Sequence, residues 1–444
     1  MSEFFGSGLD VTGADDWERP VVTSLLDTDF YKFLMGNFIR RNYPDAVVEF
    51  ALINRDPAIR LAEQVDLAAL ARQLDACRCL RFRKSEIDWL RGTDFYGQSR
   101  IFADDYIAFL EAFQLPDYRL SEADGQIVLT TEAPWAEASM WEIPFLTVVG
   151  ELRHRQVMRR MTRPALAAMY DRAHRKLRAK LERLQSIDDL AIMDFGTRRR
   201  HSLPWQDHVV RLARDVLASR FAGTSNCLIA MQHGIAARGT VAHEISMAVA
   251  AMAGSDADLR RAQYTACAQW QDLYGGRLRV CLPDTYGTTQ FLEGAPLWLN
   301  QWTGFRHDSK DPFEGGEEFI AFWKGRGIDP LEKSIIFSDG LDVHVPGSAP
   351  NGEDIARIHA HFRGRTRLAF GIGTNLTNDF RACGPDGSDL RALSLVAKLT
   401  RVNGRGAVKL SDNPSKASGP RGERDRYRAV FGTDAAAPPD AGAS

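Results

Sequence analysis

The stretch Arg238-Gly239-Thr240-Val241-Ala242-His243-Glu244 leads into the helix-forming run Ile245 to Ala253 and sets a histidine at a helix start. Gly239 punctuates the chain, and Thr240 carries a side chain able to cap the helix by accepting a backbone N–H. With that cap, His243 falls at the third helical position, inside the first turn. The partial positive charge there disfavours an imidazolium and keeps the ring neutral and nucleophilic. The free N–H groups of the same turn suit a phosphate. A neutral histidine beside an anion site can act as a general base or accept a phosphate. A buried, hydrogen-bonded structural histidine has the same local pattern.

Other residues carry anion chemistry. Arg198 and Arg199 follow Phe195-Gly196, and Arg306 precedes Asp308. Guanidinium forks suit carboxylates and phosphates, and three in one site are costly without an anionic ligand. Pairing with Asp194, Asp207 or Asp308 is the alternative, and at least one of the three is assigned to structure. Gly371-Ile372-Gly373-Thr374 and Ser338-Asp339-Gly340 can hold a phosphate through backbone N–H groups and hydroxyls, although most glycine-rich turns are only turns. Asp284, Asp308 and Asp339 can hold Mg²⁺ through waters or orient ribose hydroxyls; capping a turn is the commoner use. Phe195 and Tyr31 can sandwich a flat ring, or belong to the core. His307 and His359-Ala360-His361 lack a clear set of partner ligands, so no zinc site is expected.

The elements that must position these residues fall into two regions. Asp27 or Thr28 is expected to cap a helix through Phe30 to Met35. Val47 to Ile53 and Ile127 to Thr131 read as strands, and Leu61 to Arg78 and Ser85 to Leu90 as helices. Their irregular order indicates an α+β domain over residues 20–140. A C-terminal segment near 390–430 joins it through a hairpin-like piece, Leu393 to Lys398 and Gly406 to Leu410. Met140 to Leu184 is helical, with Pro144 and Pro164 expected to break or kink it. Its basic residues form a solvated face or line an anion pocket.

From Ser186 onward, short apolar strands alternate with helices, and polar or glycine residues follow each strand. That alternation indicates a parallel sheet with crossover helices. An open doubly wound sheet is one solution. Six or more units without a single glycine-rich nucleotide fingerprint favour an irregular β/α barrel over 141–389, where strand ends converge on one mouth. The fold class is therefore α/β, a barrel with an N-terminal α+β domain. Residues 1–19 read as a flexible arm and 431–444 as a disordered tail.

The chain of 444 residues has a formal net charge of −2, which argues against an overall nucleic-acid footprint. None of its six cysteines forms a Cys-x-x-Cys pair, so a zinc ribbon is not expected. The N-terminus lacks the pattern of a signal peptide, and no apolar run approaches ~20 residues, so no membrane partner is expected. Reduced thiols and a cytoplasmic location follow.

Seven stretches, in order, resemble the nicotinate phosphoribosyltransferase family: Thr28 to Lys32, Asp194 to Arg199, Gly223 to Asn226, Gly239 to Glu244, Arg306 to Ser309, Gly371 to Thr374 and Lys409 to Lys416. The resemblance spans about Val22 to Lys416. It implies an N-terminal α+β domain on an irregular barrel, and a homodimer with sites near the subunit interface. It also implies the reaction. Nicotinate attacks the anomeric carbon of phosphoribosyl pyrophosphate, giving nicotinate mononucleotide and pyrophosphate, the first step of NAD synthesis from nicotinate. ATP hydrolysis is coupled, in a ligase-type manner, through a transient phosphohistidine, by position His243, and Asp308 is a second catalytic residue. Tyr31 and Phe195 would bracket the pyridine ring, Arg306 would hold its carboxylate, Ser225 and Thr240 would complete that pocket, and Arg198 would face the same pocket or the phosphates. Arg199, Ser338, Gly340, Gly371, Gly373 and Thr374 would bind the phosphates. Mg²⁺ would enter with the substrate phosphates, and Glu244 would orient the His243 ring. His307 and Lys310 form an Arg-His-Asp-Ser-Lys string where many relatives have a glycine after Asp-Ser.

The nearest rival is a nicotinamide phosphoribosyltransferase. Amide-using relatives carry an aspartate at the position of Ser225, which would repel a nicotinate carboxylate. A neutral serine favours the acid. The other rivals are a catalytically silent ligand-binding relative and an unrelated barrel enzyme acting on sugar phosphates. An intact His243 disfavours the first, and the Thr28 to Lys32 and Lys409 to Lys416 strings disfavour the second.

Overall fold

The computed structural model describes residues 17–346, 349–385 and 388–432. The arm expected at 1–19 and the tail expected at 431–444 lie outside these residues except for 17–19 and 431–432.

Three strands of the N-terminal region, β1 (Val47–Asn54), β2 (Arg119–Ala123) and β3 (Gln126–Pro134), form an antiparallel sheet. The short parallel pieces β4 (Ile192–Asp194), β5 (Phe221–Thr224), β6 (Val280–Cys281), β7 (Gly304–His307) and β8 (Ser334–Phe337) follow. Then come a two-stranded pair, β9 (Leu341–Asp342) and β10 (Glu353–Asp354), and β11 (Arg367–Ile372). Finally β12 (Leu395–Val402) and β13 (Arg405–Gly406) return to the first sheet, giving the order β13-β12-β1-β3-β2. The return is specified by alternation. Phe50 and Leu52 of β1 pair with Leu399 and Ala397 of β12, and all four are buried.

The second sheet has the order β5-β4-β11-β8-β7-β6 and is parallel throughout. Helices Leu203–Leu217, Asp256–Leu273, Pro312–Gly325 and Ile355–Phe362 make its crossovers. The last strand, β11, lies beside the first, β4, as closure of a barrel requires. β5 and β6 are sheet ends rather than neighbours, and a side chain spans the opening. His243, in the connection after β5, bonds Thr285, which follows β6. The fold is thus an irregular β/α barrel with an N-terminal α+β domain, as expected from the alternation. No helix among the described residues is long and apolar enough to cross a membrane.

Three local expectations fail. Helix Phe30–Asn42 starts after Asp29, with no side-chain cap. Asp27 instead makes a buried two-bond pair with Arg200 and accepts from Asn226 Nδ2. Pro144 does not break its helix. It lies in the first turn of helix Glu142–Met158, and Pro164 lies in the first turn of helix Arg163–Gln185, where a missing N–H costs nothing. The interruption falls at 159–162. The basic run is neither a simple solvated face nor a pocket lining. Arg153 and Arg155 are buried against Asp389 and Glu151, and Lys180 sits between Asp342 and Asp379.

Candidate active site

A cavity of about 580 Å³ opens at the C-terminal ends of the barrel strands. The turns after β4, β5, β7, β8 and β11 form its floor. Its roof comes from the N-terminal domain, through Asp29, Tyr31, Phe50, Arg55 and residues Val396 to Leu399 of β12. One chain therefore supplies both walls.

The turn after β4 is pinned from below. The buried Asp194 carboxyl accepts from Gly196 N, Thr224 Oγ1 and Gln206 Nε2 at 2.7–2.8 Å. Burial pushes its pKa up to about 6. Phe195 is carried into the cavity by this turn and packs on Gly371, where a Cβ would lie 2.2 Å from the ring. Gly371 is therefore the seat of Phe195 and not part of the cavity wall, which corrects its expected phosphate role. Gly373, Thr374, Ser338 and Gly340 do line the cavity, as do Arg199 and Arg198.

His243 is the first residue of helix His243–Ala251, not the third. Ala242 occupies the cap position and Thr240 makes no cap, because it faces the cavity and accepts from Arg306 at 3.3 Å. The imidazole is instead held by side chains. Nδ1 lies 3.1 Å from Thr285 Oγ1, and Nε2 lies 3.1 Å from Asp308 Oδ2, 2.8 Å from Lys409 Nζ and 3.5 Å from Asp284 Oδ1. Burial lowers the His243 pKa, with Asp284 opposing and Lys409 assisting. Desolvation thus keeps the ring neutral near pH 7. Asp308 is held well below the usual carboxylate range by Arg306 and His243 against its burial. Glu244 does not orient the ring. Its carboxylate turns to Lys32 Nζ and Trp135 Nε1, at 2.8 and 2.7 Å.

Arg306 donates to Thr240 Oγ1 and Val241 O, and lies 3.8 Å from Asp308. Its buried Nε has no hydrogen-bond partner among the described residues, an unmet donor beside the cavity. Tyr31 donates to Glu142 at 2.9 Å, and Glu142 also receives Lys32 and Arg198. Arg198 thus finds its counter-ions in Glu142 and Asp29 rather than in Asp194, Asp207 or Asp308. Ser225 Oγ donates to Asp29 Oδ1 at 2.5 Å. Burial raises the Asp29 pKa, opposed by Arg198.

Several cavity residues had no role assigned from sequence. Arg55, Lys398, Lys409 and Lys416 make one basic wall with Arg199. Burial and the neighbouring Arg55 and Lys409 charges lower the Lys398 pKa to about 7. Lys416 pairs with Asp339 at 2.5 Å and donates to Asp308 O. The available signal was the pair of lysines in the Lys409 to Lys416 string, on a segment already expected to return to the first domain. Against the Lys409 and Lys416 end of this wall, His243, Asp284 and Asp308 offer ligand atoms within 4.8 Å of one another. Asp284 Oδ1 is buried without a hydrogen-bond partner among the described residues. Hard carboxylate oxygens of this kind fit a magnesium ion.

Residues 190–435 match the model of the nicotinate phosphoribosyltransferase (NAPRTase) family, and residues 26–150 match that of its N-terminal domain. Among solved structures, the chain is similar to nicotinate phosphoribosyltransferase from Porphyromonas gingivalis, at 28% identity and a TM-score of 0.79, covering 93% of this chain and 100% of that one. It is also similar to the enzyme from Vibrio cholerae, at 28% identity and a TM-score of 0.79, covering 93% and 94%. Two family models that together take in most of the chain, on a barrel that gathers arginines, lysines and a neutral histidine in one cavity, show that this protein belongs to the nicotinate phosphoribosyltransferase family.

Proposed function

We propose that this chain joins nicotinate to phosphoribosyl pyrophosphate, and that it couples the transfer to ATP hydrolysis through phosphorylation of His243. The product is nicotinate mononucleotide, an intermediate of NAD synthesis. In the transfer, the pyridine nitrogen bonds to the ribose anomeric carbon while the bond from that carbon to pyrophosphate breaks. Positive character develops at the carbon and negative charge on the leaving group, so catalysis is mostly positioning and electrostatics. Tyr31 and Phe195 bracket the pyridine, and Arg306, with its unmet Nε–H, takes the carboxylate. Arg198, Ser225 and Thr240 complete that end. Ser338, Gly340, Gly373 and Thr374 hold the ribose phosphate, and Arg199 with the basic wall receives pyrophosphate. Asp284 and Asp308 would hold Mg²⁺, which offsets charge on the phosphates when bound.

The observation that carries the ATP reading is the surrounding of His243 Nε2. In the neutral tautomer with Nδ1–H donating to Thr285, the Nε2 lone pair accepts from Lys409 at 2.8 Å, and the lysine charge offsets the Asp308 and Asp284 carboxylates that lie 3.1 and 3.5 Å from the same nitrogen. Attack on the γ-phosphorus forms an N–P bond as the bond to the ADP oxygen breaks, and ADP leaves with that electron pair. Lys409 and the first-turn N–H groups then meet the new charge. Water later cleaves the N–P bond.

Product formation from phosphoribosyl pyrophosphate with nicotinate or nicotinamide, each with and without ATP, tests this reading. Nicotinate mononucleotide is expected, formed faster with ATP. Nicotinamide used as well as nicotinate would favour the amide-using rival, and no product from either would favour the silent one.

A further inference from the structure

The loop that delivers Thr240 and His243 is held by a hairpin of the other domain that has no part in the reaction above. Phe95 and Gln98 exchange backbone hydrogen bonds at 3.0 and 2.9 Å. Between them, Tyr96 and Gly97 have φ of 56° and 78°. This is the left-handed pair of a tight hairpin, where Asn-Gly is the favoured sequence. A bulky aromatic residue is a genuine outlier in that conformation, and such strain persists where its surroundings over-determine it.

The surroundings of Tyr96 show what is gained. Its hydroxyl accepts from Gly239 N and donates to Gly239 O, both at 2.8 Å. Its ring lies 5.1 Å beneath the guanidinium of Arg238 and 6.3 Å from the ring of Phe30. The closing hairpin residue, Gln98, bonds Gly275 in the same two-sided way, at 3.1 and 3.3 Å. Gly239 is pressed from its other side. A Cβ there would lie 2.8 Å from Tyr31 N. Arg306 in turn donates to Thr240 and to Val241 O.

We infer that Tyr96 is a positioning residue, and that the Phe95–Gln98 hairpin is an interdomain strut holding Gly239 against Tyr31, so that Thr240 and Arg306 keep their places around the pyridine carboxylate. The inference rests on the proposed nicotinate site. Tyr96 itself is not in the cavity wall and touches no reacting atom. An asparagine at this turn would relieve the backbone but could not reach Gly239 while stacking on Arg238.

Tyr96→Phe keeps the ring contacts and removes only the two hydroxyl hydrogen bonds. It is expected to raise the KM for nicotinate about tenfold, the scale of one or two hydrogen bonds, while kcat without ATP stays within about threefold. Amide hydrogen exchange over 238–243 should quicken with exchange elsewhere unchanged. Should that variant fail to fold, Gly239→Ala pushes the same loop off Tyr31 and leaves the hairpin alone, and the same two quantities are read. A lowered melting temperature with unchanged KM and unchanged exchange over 238–243 would overturn the inference. Absence of turnover in the wild type would count against the nicotinate reading, and the exchange result would still decide the strut.

Discussion

Lys409 Nζ lies 2.8 Å from His243 Nε2, although the two residues are 166 positions apart in sequence. The lysine is buried, and burial lowers its pKa against the pull of Asp284 and Asp308. The C-terminal segment that completes the N-terminal sheet thus also completes the histidine's environment. Lys409→Met is expected to lower ATP-stimulated product formation at least about tenfold, since charge-assisted hydrogen bonds are the strong ones. Transfer without ATP should persist in part. Equal ATP stimulation in the variant and the wild type would remove Lys409 from the coupling step.

Arg306→Ala removes the guanidinium proposed to hold the substrate carboxylate. A loss of roughly 2–5 kcal/mol of transition-state stabilisation is expected if that carboxylate is desolvated when bound. Steady-state kinetics on the folded variant measure it. Wild-type kcat/KM for nicotinate would make Arg306 a support for Thr240 alone.

Ser225 and Asp29 form one unit, since the serine hydroxyl donates to the aspartate at 2.5 Å. Ser225→Asp would set a second carboxyl against Asp29 and against an incoming nicotinate. The kcat/KM for nicotinate should fall relative to nicotinamide, through repulsion between like charges in a desolvated site. An unchanged ratio of the two would take Ser225 out of substrate choice.

A separate expectation concerns acid stability. His154 and His201 stack at 4.7 Å in the core beside Tyr170. Burial, then the Arg153 charge, lowers the His154 pKa to about 4, and burial lowers that of His201 as well. Both are neutral in the folded chain. Below about pH 6.5 the unfolded chain takes up these protons first, so stability falls as pH drops from 6.5 towards 4 and is fully present above 6.5. His154 alone accounts for up to about 3 kcal/mol of this fall. Melting temperatures from pH 4 to 8 should show it, with a shallower slope in His154→Phe. An identical slope would assign the effect to other groups.

Much of the barrel was legible because its strands are short apolar runs, each followed by polar residues, and because that alternation reflects burial on both faces. The return of β12 to β1 was legible for a related reason, as both strands alternate. The helix start at His243 was misread by two positions. Thr240 has a good capping side chain, but Arg306 claims it, and a tertiary contact of that kind leaves no local trace. Glu244 follows the same logic, since Lys32 lies 212 positions away. Gly371 looked like half of a phosphate turn and proved to be the seat of a phenylalanine ring, because a missing Cβ serves either purpose. The basic wall escaped because Arg55, Lys398, Lys409 and Lys416 converge only through pairing of distant strands.

His243 is proposed as the group through which ATP acts. The measurement is incubation of the wild type and of His243→Asn with γ-labelled ATP, followed by acid and base treatment of the protein. An acid-labile, base-stable label is expected on the wild type alone, together with loss of ATP-stimulated product formation and survival of some ATP-independent transfer in the variant. A His243→Asn protein that still takes up the label, and still couples ATP hydrolysis to nicotinate mononucleotide formation, would contradict it.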